Sequence, residues 1–165
     1  MAGLRRQGPA DPGDAGMAMS AALRFLAARP RSEAEVRRRL GRAFAPVIAD
    51  DVIARLRTMG YLDDAAFAKW WREQRDRNRP KGALAIRQEL RRLGVDAEAV
   101  ESSLDGLDEE AAAIRAGGRR AQTLKSLPQR AFLEHLIPFL RRRGFATATA
   151  RRAAQALWQR RQASA

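Results

Sequence analysis

Apolar residues along this chain recur at intervals of three and four, the spacing that places side chains on one face of an α-helix. The clearest example lies between residues 60 and 94, where two such runs are separated by a polar break at 78–81. The runs consist of Phe67, Trp70 and Trp71 in the first and of Ile86, Leu90 and Leu93 in the second. They predict a helix over about 64–77 and another that begins after Gly82 and stops at Gly94.

The same periodicity predicts helices on both sides of this stretch, and no run alternates as a strand would. Three helices are expected upstream, over about 17–28, 33–40 and 46–59. The second begins at a capping box, Ser32 followed by Glu35, and the third is expected to bury Ile48, Val52, Leu56 and Met59. Four are expected downstream: one capped by Asp96, one over about 108–124, one that carries Leu133, Leu136 and Leu140, and one over about 148–161 capped by Thr147.

Equivalent residues recur at an interval of 50 along the chain. The recurring sets are Val36, Ile86 and Leu136, then Leu40, Leu90 and Leu140, and finally Gly94 and Gly144. We therefore predict an all-α fold of three tandem three-helix repeats that form an elongated, curved array. The predicted units are 17–62, 63–105 and 106–162, after a disordered tail over 1–16. In the third unit, Gly117 and Gly118 predict a hinge and Pro138 predicts a kink.

The chain of 165 residues is strongly basic, with 32 Lys and Arg against 19 Asp and Glu, a net charge of +13. Such a charge attracts polyanions or an acidic protein face, although a GC-rich genome also enriches arginine without functional demand. The absence of cysteine excludes disulfides and thiolate sites and fits a reducing compartment. With no apolar run of membrane-spanning length and no signal-peptide core, we expect a cytoplasmic monomer that does not bind membranes.

Candidate catalytic chemistry is sparse. His135 is the sole histidine and lacks a nucleophile or second metal ligand at a useful spacing. Asp63 and Asp64 are better explained as helix caps than as a metal site. Trp70 and Trp71 could stack on nucleic-acid bases, but core packing explains the pair better. No phosphate-binding glycine loop occurs, so we expect neither enzymatic activity nor a cofactor or metal.

Arginine faces are the remaining candidate for function. The densest lies in the central unit and consists of Arg72, Arg75, Arg79, Lys81, Arg87, Arg91 and Arg92. Secondary candidates in the outer units are Arg37, Arg38, Arg39, Arg141, Arg142 and Arg143. A solvated face explains many of them, but recurrence in stacked units would form a basic stripe suited to carboxylates on a partner and to DNA phosphates.

Two sets of residues resemble the bacterial RecX regulatory proteins. The central set is Gly60-Tyr61-Leu62-Asp63-Asp64, Phe67-Ala68, Lys81-Gly82, Ile86, Glu89-Leu90 and Leu93-Gly94-Val95, and the first-unit set is Ala22-Leu23, Leu26, Arg29, Ser32, Glu35 and Leu40. The resemblance covers about 21–104. It implies tandem three-helix repeats and a modulator, normally an inhibitor, of the RecA recombinase filament on single-stranded DNA, in DNA repair and recombination. The alternative is a general basic DNA-binding protein.

Overall fold

The computed structural model describes residues 12–163, and this part of the chain contains nine α-helices and no strand. The helices are α1 Pro12–Ala28, α2 Glu33–Leu40, α3 Pro46–Thr58, α4 Asp64–Asn78, α5 Ala83–Arg92, α6 Ala97–Leu104, α7 Glu109–Thr123, α8 Gln129–Arg142 and α9 Thr147–Ala163. All the extensive packing between helices occurs within the triplets α1 to α3, α4 to α6 and α7 to α9. Each triplet encloses its own hydrophobic cluster. The predicted all-α fold of three-helix repeats is confirmed.

The apolar residues that recur at the interval of 50 belong to these clusters. The middle helix of each unit supplies two of them, and none is more than 1% exposed. They are Val36 and Leu40 in α2, Ile86 and Leu90 in α5, and Leu136 and Leu140 in α8. Each pair is spaced four apart, so both side chains project from one face of the middle helix into its own unit.

The first helix starts earlier than the sequence suggests, because residues 12–16, assigned above to a disordered tail, belong to α1. Pro12 suits the first position of a helix, where its missing N–H is not needed. Asp14 lies in the first turn, where the helix dipole favours a negative charge. Ala15 packs against the core of the first unit. The rest of the predicted tail, residues 1–11, lies outside the described residues.

Three local predictions are wrong for identifiable reasons. Met59 is 52% exposed, because it follows the last residue of α3 and the helical period no longer applies to it. Thr147 does not cap α9 but is its first residue. The predicted hinge at Gly117 and Gly118 is also wrong, since α7 runs through both glycines. A Cβ at Gly117 would lie 2.8 Å from Leu157 Cδ1, so this glycine lets α7 approach α9 closely.

Neighbouring units join where the middle helix of one unit meets the middle helix of the next. At the first joint, Ser32 before α2 donates its hydroxyl to the carbonyl oxygen of Leu93 after α5, 2.5 Å away. At the second, the backbone N–H of Gly82 before α5 donates to the carbonyl oxygen of Arg143 after α8, at 3.0 Å. The donors are 50 residues apart, and so are the acceptors. The two joints are therefore equivalent, and α8, α5 and α2 follow one another with the same polarity.

A carboxylate from the following unit completes each joint. Asp64, the first residue of α4, accepts the backbone N–H of Glu33 at 2.8 Å, and Glu109, the first residue of α7, accepts that of Ala83 at 2.6 Å. Each carboxylate thus caps a middle helix that belongs to the preceding unit. Burial raises the pKa of Asp64 above its ordinary value and outweighs the hydrogen bond from Glu33, which lowers it. The structure therefore gives Asp64 a joining role, while Asp63 caps its own helix α4 through Ala66 at 2.9 Å.

Glycines in the second and third units allow the units to approach each other. Gly94 and Gly144 have φ values of +82° and +85°, a conformation that side chains disfavour. A Cβ at Gly94 would overlap the Cβ of Ala34, and one at Gly144 would overlap Ala85. The corresponding region of the first unit contains Gly41, which has a φ of −62°. Among the described residues, the first unit therefore lacks the positive-φ glycine that follows the middle helix in the other two units.

Candidate functional site

Arg75 and Lys81, two members of the predicted central patch, bind Glu89 within their own unit. Arg75 Nε lies 2.8 Å from Glu89 Oε2, Trp71 Nε1 donates to the same oxygen at 2.9 Å, and Lys81 Nζ contacts Oε1. Burial would raise the pKa of Glu89, but the bonds from Lys81, Arg75 and Trp71 together hold that pKa below its ordinary value. Arg75 also covers the ring of Trp71, 4.4 Å from its centroid. These two cations stabilise the packing of α4 against α5.

Arg87 and Arg72 are also occupied inside the central unit. Arg87 makes two hydrogen bonds of 2.7 Å to the carboxylate of Glu101 on α6, and these raise its pKa above the ordinary arginine value. Arg91 lies 4.0 Å from the same carboxylate. Arg72 donates to the carbonyl oxygen of Asp105 at 3.0 Å. Arg87 is therefore not an unpaired docking group, although the sequence places it beside Arg91 on an exposed face.

Two of the secondary candidates have partners as well. Arg37 contacts Asp50 and lies 3.1 Å from Glu33, so it links α2 to α3. Arg143 donates to the carbonyl oxygen of Pro80 at 3.2 Å and covers the ring of Phe139 at 5.1 Å. Because Pro80 belongs to the second unit and Arg143 to the third, this arginine reinforces the joint between them.

Six candidates remain whose side chains make no hydrogen bond, ion pair or ring contact with the described part of the chain. All six are exposed: Arg38, Arg39, Arg79, Arg92, Arg141 and Arg142. Their guanidinium groups keep all their donors available for an external carboxylate or phosphate. Five of the six lie at the C-terminal ends of the middle helices, so the unpaired charge is concentrated at one kind of position in the fold.

The interval of 50 reveals one residue that the sequence reasoning missed. Arg42, Arg92 and Arg142 each follow the buried leucine of a middle helix by two positions. All three are exposed and, within residues 12–163, have no side-chain partner. We call them the arginine series. A cation at a helix C-terminus is stabilised by the helix dipole by about 0.3–1 kcal/mol, which explains a preference for the position but leaves the guanidinium groups free to bind.

The other candidates for chemistry have structural roles or remain on the surface. Trp70 and Trp71 are both partly buried against the core of the second unit, with centroids 6.2 Å apart, so the prediction of core packing is confirmed. His135 is exposed. Among the described residues, no three His, Cys, Asp or Glu side chains are grouped to hold a metal ion. None of the helices described is long and apolar enough to cross a membrane.

Family models match two of the three units in sequence. One described as the first three-helix domain of RecX matches residues 18–56, and one described as the second three-helix domain of RecX matches residues 63–104. Among solved structures, the fold is similar to the crystal structure of RecX from Lactobacillus salivarius, with a TM-score of 0.79 over 88% of this chain and 97% of that one. The identity of 19% makes this a likeness of fold.

Several curated proteins are similar to the chain over most of its length. The regulatory protein RecX of Geobacillus kaustophilus is 41% identical over 128 residues, which cover 75% of this chain and 48% of that protein. That of Thermobifida fusca is 34% identical over 134 residues, which cover 79% and 72%. That of Mycobacterium marinum is 34% identical over 149 residues, which cover 85% and 84%. The alignment thus spans about half of the Geobacillus relative and most of the other two.

Proposed function

The chain belongs to the RecX family of regulatory proteins, and on that premise we propose that it binds the RecA filament on single-stranded DNA and inhibits it. The inhibited activities are filament growth, strand exchange and ATP hydrolysis, in DNA repair, recombination and the SOS response. The chain acts as a cytoplasmic monomer and as a non-enzymatic regulator, without a cofactor. Its ligand is the assembled filament.

The observation that carries this proposal is the arginine series. Each unit of the array offers an unpaired guanidinium at an equivalent position, two residues after the buried leucine of its middle helix, at Arg42, Arg92 and Arg142. A helix of ten residues such as α5 is about 15 Å long, and one hydrogen-bonded joint separates it from the middle helix of the neighbouring unit. The arginine series therefore presents its charges at similar intervals along the array. A partner that itself repeats, as the subunits of a filament do, can meet such a series with the same acidic group several times.

Repeated contact also explains how weak individual interactions produce inhibition. An exposed ion pair contributes at most about 1 kcal/mol, which alone would not hold a regulator on a filament. Once one unit has bound, its neighbour is held at a high effective concentration, and the contacts reinforce one another. A chain bound in this way contacts more than one filament subunit at once and so opposes their rearrangement.

A general basic DNA-binding protein is the second candidate, and the net charge of +13 favours it. Unpaired arginines bind phosphates as readily as carboxylates. DNA phosphates, however, are spaced far more closely than the three units, so phosphate binding does not require one arginine per unit. Trp70 and Trp71, the pair considered for stacking on single-stranded bases, are partly buried against the core of the second unit.

Neutralising the arginine series tests the proposal. The triple variant Arg42→Gln, Arg92→Gln and Arg142→Gln should keep the helical circular dichroism and melting of the parent, because none of these side chains has a partner in the described chain. It should lose most inhibition of ATP hydrolysis and strand exchange by RecA filaments on single-stranded DNA.

A matched control changes the net charge equally at other sites. Arg24, Arg119 and Arg120 are exposed and also lack side-chain partners among residues 12–163, so their triple change to Gln should retain inhibition. Equal loss in both triple variants would assign the effect to overall charge and favour the DNA-binding alternative. A parent chain that leaves filament ATP hydrolysis unchanged would contradict the proposed function itself.

A further inference from the structure

The joint between the second and third units contains an open recess with a volume of about 390 Å³. Leu84 on α5 and Pro138 on α8 form apolar parts of its wall, and Arg141 and Arg142 lie beside them. Leu84 is 56% exposed although it is a large apolar side chain. Pro138 is exposed within a helix interior, where proline removes a backbone hydrogen bond and lowers stability. The packing of the chain explains neither residue.

The equivalent joint between the first and second units has different residues at these positions. Fifty residues earlier in sequence, Ala34 corresponds to Leu84 and Gln88 to Pro138, whereas Arg91 and Arg92 match the two arginines. In the structure, Ala34 faces Gly94 as Ala85 faces Gly144, and the residue before Ala34 is Glu33, so no large apolar side chain corresponds to Leu84 at the first joint. The charged half of the recess is therefore common to both joints, but the apolar half occurs only at the second. An apolar surface that the repeat does not require indicates a ligand with an apolar group.

The first turn of α9 borders the same recess through Ala146 and Thr147. At the equivalent place in the second unit, Asp96 caps α6 by accepting the N–H of Ala99 at 2.9 Å. Ala146 precedes the first residue of α9 and has no side-chain acceptor, so the N–H groups of this first turn lack a carboxylate of the kind that Asp96 supplies to α6. A carboxylate from outside would be favoured there by these donors and by both arginines.

We propose that this recess binds an acidic peptide segment, with one apolar side chain between Leu84 and Pro138 and with carboxylates against Arg141 and Arg142. The two arginines favour acidic peptides by charge complementarity. The apolar wall favours those acidic peptides that also carry an apolar side chain next to the acidic residues. A nucleic-acid strand fits less well, because its phosphates offer nothing to the apolar wall and Phe145, the aromatic residue at the recess, is only 2% exposed and cannot stack on a base.

Two labelled peptides test the proposal by fluorescence anisotropy with the full chain. One consists of aspartates around a central phenylalanine, and the other has serine in place of the phenylalanine. The parent should bind the first roughly tenfold more tightly, because partial burial of an aromatic side chain is worth about that factor. Equal affinity for both peptides, or no binding of either, would overturn the proposal. No recombinase is present, so the result does not depend on the proposed function.

Substitutions that introduce the residue types of the first joint into the recess test whether the apolar side chain of the peptide binds there. Leu84→Ala with Pro138→Gln should remove the preference for phenylalanine and leave binding of the serine peptide unchanged. Because one change is at an exposed leucine and the other removes a helix-interior proline, folding should be retained, as melting of the variant would verify. Preference for phenylalanine that survives this double change would show that the apolar group binds elsewhere.

The contribution of Arg141 and Arg142 is tested by comparison with Arg91 and Arg92, the arginine pair at the other joint. Arg141→Gln with Arg142→Gln should weaken binding of both peptides, whereas Arg91→Gln with Arg92→Gln, at the same net charge, should leave the tighter binding of the phenylalanine peptide intact. Equal weakening by the two pairs would indicate general charge attraction. A thymidine oligonucleotide that displaces the phenylalanine peptide from the parent but not from the Leu84 and Pro138 variant would indicate a nucleic-acid site and refute the peptide assignment.

Discussion

The hydroxyl of Ser32 donates a hydrogen bond to the carbonyl oxygen of Leu93, 61 residues away in sequence, and joins the first unit to the second. The same hydroxyl oxygen accepts the N–H of Glu35 at 3.2 Å, so one side chain caps α2 and bridges two units. At the next joint Gly82 donates through its backbone, since Gly144 lies where its side chain would be. The position of the bond is repeated, while the chemical group that makes it differs.

The joints should be sensitive to added side chains at Gly94 and Gly144. Alanine at either position introduces a disfavoured positive φ, worth roughly 1–2 kcal/mol, and also overlaps the preceding unit. Gly60 and Gly106 are matched controls, with φ values of +76° and +69° and open space around them. Urea denaturation should show larger losses of unfolding free energy at the joint glycines than at the controls. Similar losses at all four would show that the joints contribute little.

The middle helix of the second unit should depend on Leu90. Its side chain is fully buried, so Leu90→Ala should reduce the free energy of unfolding by about 2–5 kcal/mol through lost burial and a cavity. Leu84→Ala, on the same helix but at an exposed position, should change it by no more than about 0.5 kcal/mol. Thermal and urea unfolding measure both. Unchanged melting of the Leu90 variant would refute the assigned core.

The stability contributed by Glu89 should depend on pH. Its pKa is lower in the folded chain than the ordinary glutamate value, so ionisation favours folding, and this contribution is present at neutral pH and is lost as the pH falls through the folded pKa. Glu89→Gln should therefore lower the free energy of unfolding at pH 7 by roughly 1–3 kcal/mol, and this deficit should shrink in acid, below the ordinary glutamate pKa.

Glu134 provides the comparison for this pH dependence. Its carboxylate pairs with Arg130 at 2.9 Å, but both side chains are largely exposed, so solvent screens the pair. Glu134→Gln should leave the urea midpoint close to that of the parent at both pH values. A deficit for Glu89→Gln that persists unchanged in acid would mean that the side chain stabilises the fold by packing rather than by charge.

DNA binding by the chain alone should be weak and steeply dependent on salt. Arginines that neutralise phosphates release counterions, and the entropy of that release falls as bulk salt rises. Titrations of labelled single-stranded DNA and of duplexes of different sequence, at several salt concentrations, should show little sequence preference. Adding RecA filament should strengthen binding. Tight binding to one duplex sequence that survives moderate salt would instead support the DNA-binding alternative.

The sequence predicted the basic character of the candidate site but not its available residues. Arg75 and Arg92 are similarly placed on amphipathic helices, yet the first is bound to Glu89 and the second has no partner in the described chain. Arg42 was overlooked because it follows its helix, although the interval of 50 points to it. The ion pairs that occupy Arg75 and Arg87 form between separate helices, and helical spacing within one element contains no information about such pairs.

The sequence by itself determined the helices, their repeat and their cores, because apolar periodicity and glycine stops act through residues within one or two turns. The interval between Leu40, Leu90 and Leu140 was sufficient to predict three units with equivalent buried positions. Only the tertiary structure decided how the units join and which charges remain free. Asp64 caps a helix of the preceding unit, and Glu101 pairs with Arg87, because folding brings these groups within a few ångströms, the distance over which hydrogen bonds and ion pairs form.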